Sequence, residues 1–244
     1  MSKAILITGA SRGLGAGLAR HFAARGYKLA LTARSLDALD TLADTLKEQS
    51  PQIVTAVLDV ADYASVANVI NQCAQQLGGL DIIVANAGVA INTRSGKGQF
   101  EQMRKIIDVN LTGAIASAEA AIELFRQQGH GQLVGISSVA AARGLPGNGA
   151  YSASKAGFSK YLEALRAETA NEKIVITELA PGYIDTDLNS ALASRPFLVS
   201  AEKGTGIMAD LIEREVSFRY VPPWPWTVLA QLLKILPTRI LKKL

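Results

Sequence analysis

Residues 3–15, KAILITGASRGLG, join a short apolar segment to a glycine-rich turn and then to the start of a helical pattern. Gly9 and Gly13 allow a tight turn and a close approach of the backbone to a ligand, and Gly15 lets the helix pack against the strand. The free N–H groups at such a helix N-terminus favour a pyrophosphate. Because the spacing G-x-x-x-G-x-G departs from the general fingerprint G-x-G-x-x-G, this turn alone is weak support for a dinucleotide site.

Apolar strand patterns and amphipathic helix patterns alternate along the rest of the chain. The predicted strands cover residues 3–8, 27–33, 53–58, 80–84, a run ending at 138, 174–179 and 217–221. The predicted helices cover residues 14–25, 35–48, a segment ending at 77, 100–128, 151–170 and a segment ending at 213. This alternation predicts an α/β fold with a doubly wound, seven-stranded parallel sheet, whose ligands bind beyond the carboxyl ends of the strands.

Length and composition restrict the possible classes of protein. With 244 residues and 49% hydrophobic content, the chain is long enough for one complete core. Its single cysteine, Cys73, excludes an internal disulfide, and neither His21 nor His130 has a partner at metal-ligand spacing. We therefore predict no metal site and a reducing, cytoplasmic setting. The N-terminus runs directly into the first predicted strand, so we expect no signal peptide.

The net charge of +4 is concentrated at the C-terminal end. Residues 219–244 contain five basic side chains and no acidic one, and without these five the rest of the chain carries −1. The main body has no basic stripe interleaved with aromatic residues, so we predict no nucleic-acid partner. We divide the chain into a dinucleotide-binding and catalytic domain, residues 1–221, and an amphipathic basic tail, residues 222–244.

The end of the second predicted strand indicates which dinucleotide binds. An acidic residue at this position would bind the ribose 2′-hydroxyl of NAD, but here the sequence has Ala33 and Arg34. Arg34, together with Arg12 from the glycine-rich turn, can form forked hydrogen bonds with a 2′-phosphate, which a carboxylate would repel. The alternative is that both arginines are solvated surface charges. Because they lie on two turns that converge at one ribose, we predict NADP(H).

A second motif indicates acid/base chemistry. Tyr151 and Lys155 stand four residues apart, so on a helix they project from one face. A phenol loses its proton near pH 10, and an ammonium one turn away would lower that pKa towards neutrality. This spacing alone more often pairs a packed ring with a solvated amine. Two further polar residues support a site: Ser138 ends a buried strand, and Asn110 lies in an apolar helical segment where it could hold a water beside Lys155.

Taken together, these ordered motifs resemble the short-chain dehydrogenase/reductase family over roughly residues 3–221. The resemblance implies a Rossmann-type sheet and a catalytic tetrad, which is Asn110, Ser138, Tyr151 and Lys155. It also implies that Asp59 contacts the adenine, Asn86 the adenosine ribose, Lys155 the nicotinamide ribose, and Ile184 and Thr186 the carboxamide. One departure is Ala85, where many members have a second asparagine.

The complete predicted cofactor set combines the glycine turn, the NADP-selecting arginine and the residues that follow later strands. It comprises Gly9, Ser11, Arg12, Gly13, Leu14, Gly15, Arg34, Asp59, Val60, Asn86, Ala87, Gly88, Tyr151, Lys155, Pro181, Gly182, Ile184 and Thr186. Members of the family commonly assemble through their long helices, so the resemblance also implies a homodimer or homotetramer.

The predicted activity is the NADPH-dependent, reversible reduction of a ketone or aldehyde to its alcohol, with Tyr151 as general acid/base. Segments 89–98, 140–150 and 187–200 would shape the substrate pocket. Within them, Leu145, Pro146, Phe197 and Leu198 indicate an apolar substrate, for example a 3-oxoacyl or steroid-like carbonyl. The alternative is a non-enzymatic NADPH-sensing or scaffold protein of the same fold, and the intact tetrad argues against it.

The tail follows no family motif. Residues 227–236 are strongly amphipathic, with Val228, Leu229, Leu232, Leu233, Ile235 and Leu236 in one broad arc of a helical wheel. With Trp224, Trp226 and the basic Arg239, Lys242 and Lys243, this helix could anchor residues 224–244 peripherally on anionic lipid. Alternatively, the same face packs on the protein itself or on a sister subunit, which is the commoner fate of amphipathic helices.

Overall fold

The computed structural model describes residues 2–190 and 194–241 and contains one seven-stranded parallel sheet. Its strands are β1 (Ala4–Thr8), β2 (Lys28–Ala33), β3 (Ile53–Val57), β4 (Ile82–Ala85), β5 (Gly131–Ile136), β6 (Ile174–Pro181) and β7 (Phe218–Val221). Their order across the sheet is β3-β2-β1-β4-β5-β6-β7. The prediction of a doubly wound parallel sheet is confirmed. The order reverses between β1 and β4, where such sheets bind ligands.

Helices follow the strands in alternation. They are α1 (Gly13–Ala24), α2 (Leu36–Leu46), α3 (Tyr63–Leu77), α4 (Phe100–Ile107), α5 (Ala114–Gln128), α6 (Gly149–Glu168), α7 (Ala201–Glu213), α8 (Pro223–Ile235) and α9 (Thr238–Leu241). A π-helical turn (Asp108–Gly113) separates α4 from α5, and a short 3-10 helix (Val139–Ala142) follows β5.

Each face of the sheet buries its own hydrophobic core. Successive side chains of a strand point to opposite faces, and in β1 Leu6 belongs to the core beneath α3, α5 and α6, while Ile5 and Ile7 belong to the core beneath α1, α2 and α7. All five residues of β1 are buried. This central strand therefore fixes the glycine-rich turn that follows it at the edge where ligands bind.

One predicted helix is interrupted. We expected a continuous helical stretch over residues 100–128, but the π-helical turn breaks it around Asn110. Within this turn Gly113 lies against the chain after β3, because a Cβ on Gly113 would be only 2.6 Å from the Val60 carbonyl oxygen. A π-helical turn contains one residue more than a turn of α-helix. The apolar periodicity of this segment did not indicate that extra residue. Such single π turns occur frequently at functional sites.

The tail forms α8 and packs one face on the body of the protein. Trp226 and Ala230 are buried in a small third core with Ala180 and Tyr220, and the rings of Trp226 and Tyr183 are 5.7 Å apart. Of the apolar arc that we predicted, Leu229 packs against this core, whereas Val228, Leu232 and Ile235 remain exposed. Lys242 and Lys243 lie outside the described residues. Within those residues, no helix combines the length and hydropathy that crossing a bilayer requires.

Candidate active site

A cleft of about 670 Å³ lies beyond the carboxyl ends of the strands, at the edge predicted from the sequence. Loops that follow β1 to β6 line it. The cleft is lined by every residue of the predicted cofactor set except Gly15, and by Ser138. Gly15 and Asn110 are buried behind its wall. One surface therefore brings together the loops that follow six strands with Tyr151 and Lys155 from α6.

The glycine-rich turn has the geometry that its sequence predicts. Gly9 and Gly13 adopt φ values of +66° and +56°, in the left-handed region that favours glycine. A Cβ on Gly15 would be 2.4 Å from the Gly9 carbonyl oxygen and 2.8 Å from Asn86 Nδ2. Arg12 precedes α1 without a capping side-chain hydrogen bond, which leaves the first N–H groups of the helix available to a phosphate.

Asn86 connects the turn to the centre of the sheet. Its side-chain Nδ2 donates to the Thr8 carbonyl oxygen at 2.8 Å, and its backbone N–H donates to Thr8 Oγ1 at 3.0 Å. The backbone N–H of Ala87 donates to the same hydroxyl at 3.0 Å. We predicted Asn86 as a ribose ligand from the family resemblance and did not single out Thr8. The buried Thr8 hydroxyl holds β1 and the loop after β4 together at the point where the strand order reverses.

Arg12 and Arg34 both line the cleft and are both exposed. Among residues 2–190 and 194–241, neither arginine forms an ion pair with a carboxylate. The turn after β2 reads Ala33-Arg34-Ser35, so the position after this strand has no acidic side chain. Two arginines without a carboxylate partner in the described residues therefore line the cleft, on the turns after β1 and β2.

The cleft also contains Ser138 and Tyr151. Ser138 caps the short 3-10 helix, since its Oγ accepts a hydrogen bond from the Ala140 N–H at 3.1 Å. Burial raises the pKa of the Tyr151 phenol, and the nearby Ser138 hydroxyl opposes this shift. Our expectation of a Tyr151 pKa lowered towards neutrality by Lys155 is therefore wrong for the protein alone. Burial favours the neutral phenol more strongly than the surrounding groups favour the anion.

Lys155 is buried one helical turn after Tyr151. Its Nζ donates to the Ile136 carbonyl oxygen at 2.8 Å, at the end of β5. Burial lowers the pKa of this ammonium to about 8, because desolvation penalises its charged form. An amine with a pKa near 8 exchanges its proton readily close to neutral pH.

Asn110, in the π-helical turn, lies across Gly88 from this group. Its carboxamide makes two hydrogen bonds of 2.8 Å with one residue, accepting from the Val89 N–H and donating to the Val89 carbonyl oxygen. A Cβ on Gly88 would lie 3.3 Å from Asn110 Oδ1 and 3.7 Å from Lys155 Nζ. The absence of a side chain at Gly88 thus keeps open the space between the carboxamide and the ammonium.

Two aromatic residues near the site were missed by sequence reasoning. Tyr183 lines the cleft and contributes to the raised pKa of Tyr151. Trp226 lies behind it on α8, with the ring of Phe197 6.1 Å away. An aromatic residue directly after Pro181-Gly182 was a usable signal for Tyr183, whereas the position of Trp226 depends on contacts distant in sequence. Of the four residues that suggested an apolar substrate, Leu145 lines the cleft.

The family profile described as short chain dehydrogenase matches residues 3–196 of the sequence. The chain belongs to the short-chain dehydrogenase family. An uncharacterized oxidoreductase of Mycobacterium tuberculosis is 43% identical over 242 residues, which cover 98% of this chain and 96% of the relative. The 3-oxoacyl-[acyl-carrier-protein] reductase of Escherichia coli is 32% identical over 86% of this chain and 82% of its own.

Solved structures of short-chain dehydrogenases agree with this assignment. An alcohol dehydrogenase from Thermococcus sibiricus, in complex with 5-hydroxy-NADP, superimposes with a TM-score of 0.81 at 29% sequence identity. The match covers 90% of this chain and 95% of that one. This short-chain dehydrogenase is accordingly an oxidoreductase of the alcohol and carbonyl class that uses a nicotinamide cofactor and a small-molecule substrate.

Proposed function

We propose that this protein is an NADPH-dependent reductase of ketones or aldehydes, with Asn110, Ser138, Tyr151 and Lys155 as its catalytic tetrad. The observation that carries the proposal is the arrangement of a buried Lys155 one turn after Tyr151, with Ser138 and Tyr151 lining the same cleft. A raised pKa keeps the Tyr151 phenol protonated at neutral pH. This is the form that a proton donor for carbonyl reduction needs.

The proposed chemistry divides between cofactor and protein. A bound nicotinamide supplies the hydride that reduces the carbonyl carbon. Ser138 and Tyr151 donate hydrogen bonds to the carbonyl oxygen, and Tyr151 gives up its phenolic proton as the alcohol forms. Lys155, with its pKa near 8, returns a proton towards Tyr151. Asn110 keeps the Val89 backbone in place beside it, which preserves the route along which the replacement proton arrives.

The two arginines that line the cleft support a preference for NADPH over NADH. Arg12 and Arg34 line the cleft as exposed guanidinium groups, and the turn after β2 carries no acid that would repel a 2′-phosphate. Guanidinium groups bind phosphate through paired, charge-assisted hydrogen bonds. The alcohol dehydrogenase of similar fold is described in complex with an NADP analogue. We therefore assign NADPH rather than NADH to this site.

An apolar carbonyl compound is the substrate class that fits best. Leu145, Leu188 and Val139 line the cleft, together with Tyr183. The Escherichia coli relative is named a reductase of 3-oxoacyl groups, which is consistent with an acyl chain in such a pocket.

A panel of carbonyl compounds tests the proposal directly. Purified protein is mixed with NADPH and with 3-oxoacyl thioesters, cyclic ketones, steroid ketones or aldehydes, and NADPH consumption is followed by absorbance. We expect turnover that is strongest with an apolar ketone and that Tyr151→Phe abolishes. NADPH binding without turnover on any member of the panel would instead favour a cofactor-sensing protein.

A further inference from the structure

Exposed apolar side chains are concentrated in one part of the described chain. Of the twelve large hydrophobic residues that are exposed within residues 2–190 and 194–241, eight lie between residues 188 and 240. Five of these belong to α8 and α9 and form what we call the tail face: Trp224, Val228, Leu232, Ile235 and Ile240. Trp224 and Ile235 are 76% and 78% exposed, far more than is usual for such large side chains. An apolar surface of this kind marks an interaction site.

The tail face is held outward by contacts on the other side of the same helix. Trp226 and Ala230 are buried against the body of the protein, so α8 cannot turn its exposed side inward without losing this packing. Arg143 donates to the carbonyl oxygens of Lys234 and Leu236, at 3.3 and 3.1 Å, and fixes the C-terminal end of the helix. Residues 228, 232 and 235 share one side of α8 because they are spaced four and three positions apart.

The charged side chains of the tail that carries this face all have one sign. Lys234 and Arg239 are exposed next to it, and neither forms an ion pair within the described part of the chain. The sequence has no acidic residue after Glu215, and it continues with Lys242 and Lys243 beyond the described range. A partner that fits this face therefore combines an apolar layer with negative charge.

We propose that the tail face docks on the surface of anionic lipid membranes. Apolar side chains enter the boundary between headgroups and acyl chains, tryptophan favours that boundary, and the basic residues meet lipid phosphates. A second copy of the chain is a poorer partner. A two-fold interface places the same patch against itself, so Lys234 and Arg239 would face the same positive charges on the other subunit.

Docking would place the lipid surface close to the cleft. Trp226, on the buried side of α8, packs edge-on against Tyr183, which lines the cleft. Through Trp226, the anchoring helix thus contacts the wall of the candidate substrate site. The proposal concerns binding alone, and its test does not depend on which carbonyl compound the protein reduces.

Vesicle flotation tests the proposal with the full-length chain. We expect binding to phosphatidylglycerol vesicles with a partition constant of at least about 10⁴ M⁻¹, the value for one myristoyl chain, and much weaker binding to phosphatidylcholine. Binding should also shift the tryptophan emission to shorter wavelength. Trp224 is the exposed member of the only two tryptophans, so Trp224→Ala should remove this shift.

Two valines provide a matched comparison. Val228 on the tail face is 47% exposed, and Val57 on β3, at the opposite edge of the sheet, is 53% exposed. Val228→Glu should lower the partition constant at least about tenfold, whereas Val57→Glu should leave it unchanged. The charge variants Lys234→Gln and Arg239→Gln, which leave the apolar packing intact, should each lower it about fivefold.

Several results would overturn the proposal. The first is that the protein does not bind phosphatidylglycerol vesicles, and the second is that it binds both lipids with equal partition constants. A third such result is an equal fall of the partition constant in Val228→Glu and Val57→Glu. Light scattering measures the oligomeric state and so tests the competing role of the tail face as a subunit interface. If the protein forms an oligomer that Val228→Glu dissociates, and it does not float with vesicles, the tail face is an interface between subunits. If Val228→Glu does not fold, unchanged binding in both charge variants still contradicts anionic docking.

Discussion

The indole of Trp226 occupies the space that a side chain on Gly182 would need. A Cβ on Gly182 would lie 2.1 Å from Trp226 Nε1, a distance that forces the ring to move. Gly182 follows β6 and lines the cleft, while Trp226 belongs to α8. The C-terminal helix therefore packs directly on a backbone segment of the candidate active site.

This contact predicts the effect of one added methyl group. Gly182→Ala should destabilise the protein by about 1–3 kcal/mol, as overpacking in a core does, and should displace Trp226. Thermal unfolding measures the first effect, and a shift of tryptophan emission to longer wavelength measures the second. Gly144→Ala is the matched control, because a Cβ on Gly144 meets no atom within 4 Å. Equal stability of both variants would contradict the proposed contact.

A second prediction concerns Lys155 and pH. Its pKa falls from 10.5 in a free lysine to about 8 in the folded protein. The unfolded chain therefore binds more protons between pH 8 and 10.5, and the folded state gains stability from this group as pH rises through that window. Below pH 8 the buried ammonium costs the native state about 3 kcal/mol.

Lys155→Met removes this cost, although it also leaves the Ile136 carbonyl oxygen without its donor. The difference in stability between variant and wild type, measured without cofactor, should therefore change in favour of wild type by about 1.4 kcal/mol per pH unit above pH 8. Denaturant unfolding at intervals from pH 7 to 9.5 measures this slope. Lys160→Met, which changes an exposed ammonium on the same helix, is the control. Parallel stability curves for Lys155→Met and wild type would show that the ammonium is not desolvated.

Cofactor preference gives a third prediction. Arg34→Asp should weaken NADPH binding by about ten- to a hundredfold, the value of a lost charge-assisted hydrogen bond, and should weaken NADH binding much less. Titration of protein fluorescence with each cofactor measures both constants. Arg20→Asp, on the exposed side of α1 and outside the cleft, controls for the change of net charge. If Arg34→Asp and Arg20→Asp bind NADPH equally well, Arg34 is a surface charge without a role in selection.

Much of the fold could be predicted because it depends on local patterns. Apolar residues in β1 point alternately into the two cores. On α1, Leu18 and Phe22 stand four positions apart and therefore point into the same core. The glycine-rich turn is equally local, since Gly9 requires a positive φ and Gly15 requires contact with the turn itself. Such requirements can be recognised from a few neighbouring residues.

Other features depend on contacts between distant parts of the chain and escaped prediction. The π-helical turn places Asn110 against the Val89 backbone, 21 residues earlier, and no periodicity within α4 and α5 records that bond. The side of α8 that packs on the body, at Trp226 and Ala230, is selected by Tyr220 and Gly182, which the tail sequence does not contain. The direction of the Tyr151 pKa shift depends on burial, which a spacing of four residues does not reveal.

The most direct test of the account is the turnover of Tyr151→Phe on a carbonyl substrate confirmed with the wild-type protein and NADPH. Loss of the phenolic proton should lower kcat at least about a hundredfold, while NADPH binding stays nearly unchanged. Tyr161→Phe removes a hydroxyl from the same helix that contacts Glu119 outside the cleft, and it should keep wild-type turnover. If Tyr151→Phe retained activity within a few fold of Tyr161→Phe, Tyr151 would not be the proton donor and the proposed mechanism would be wrong.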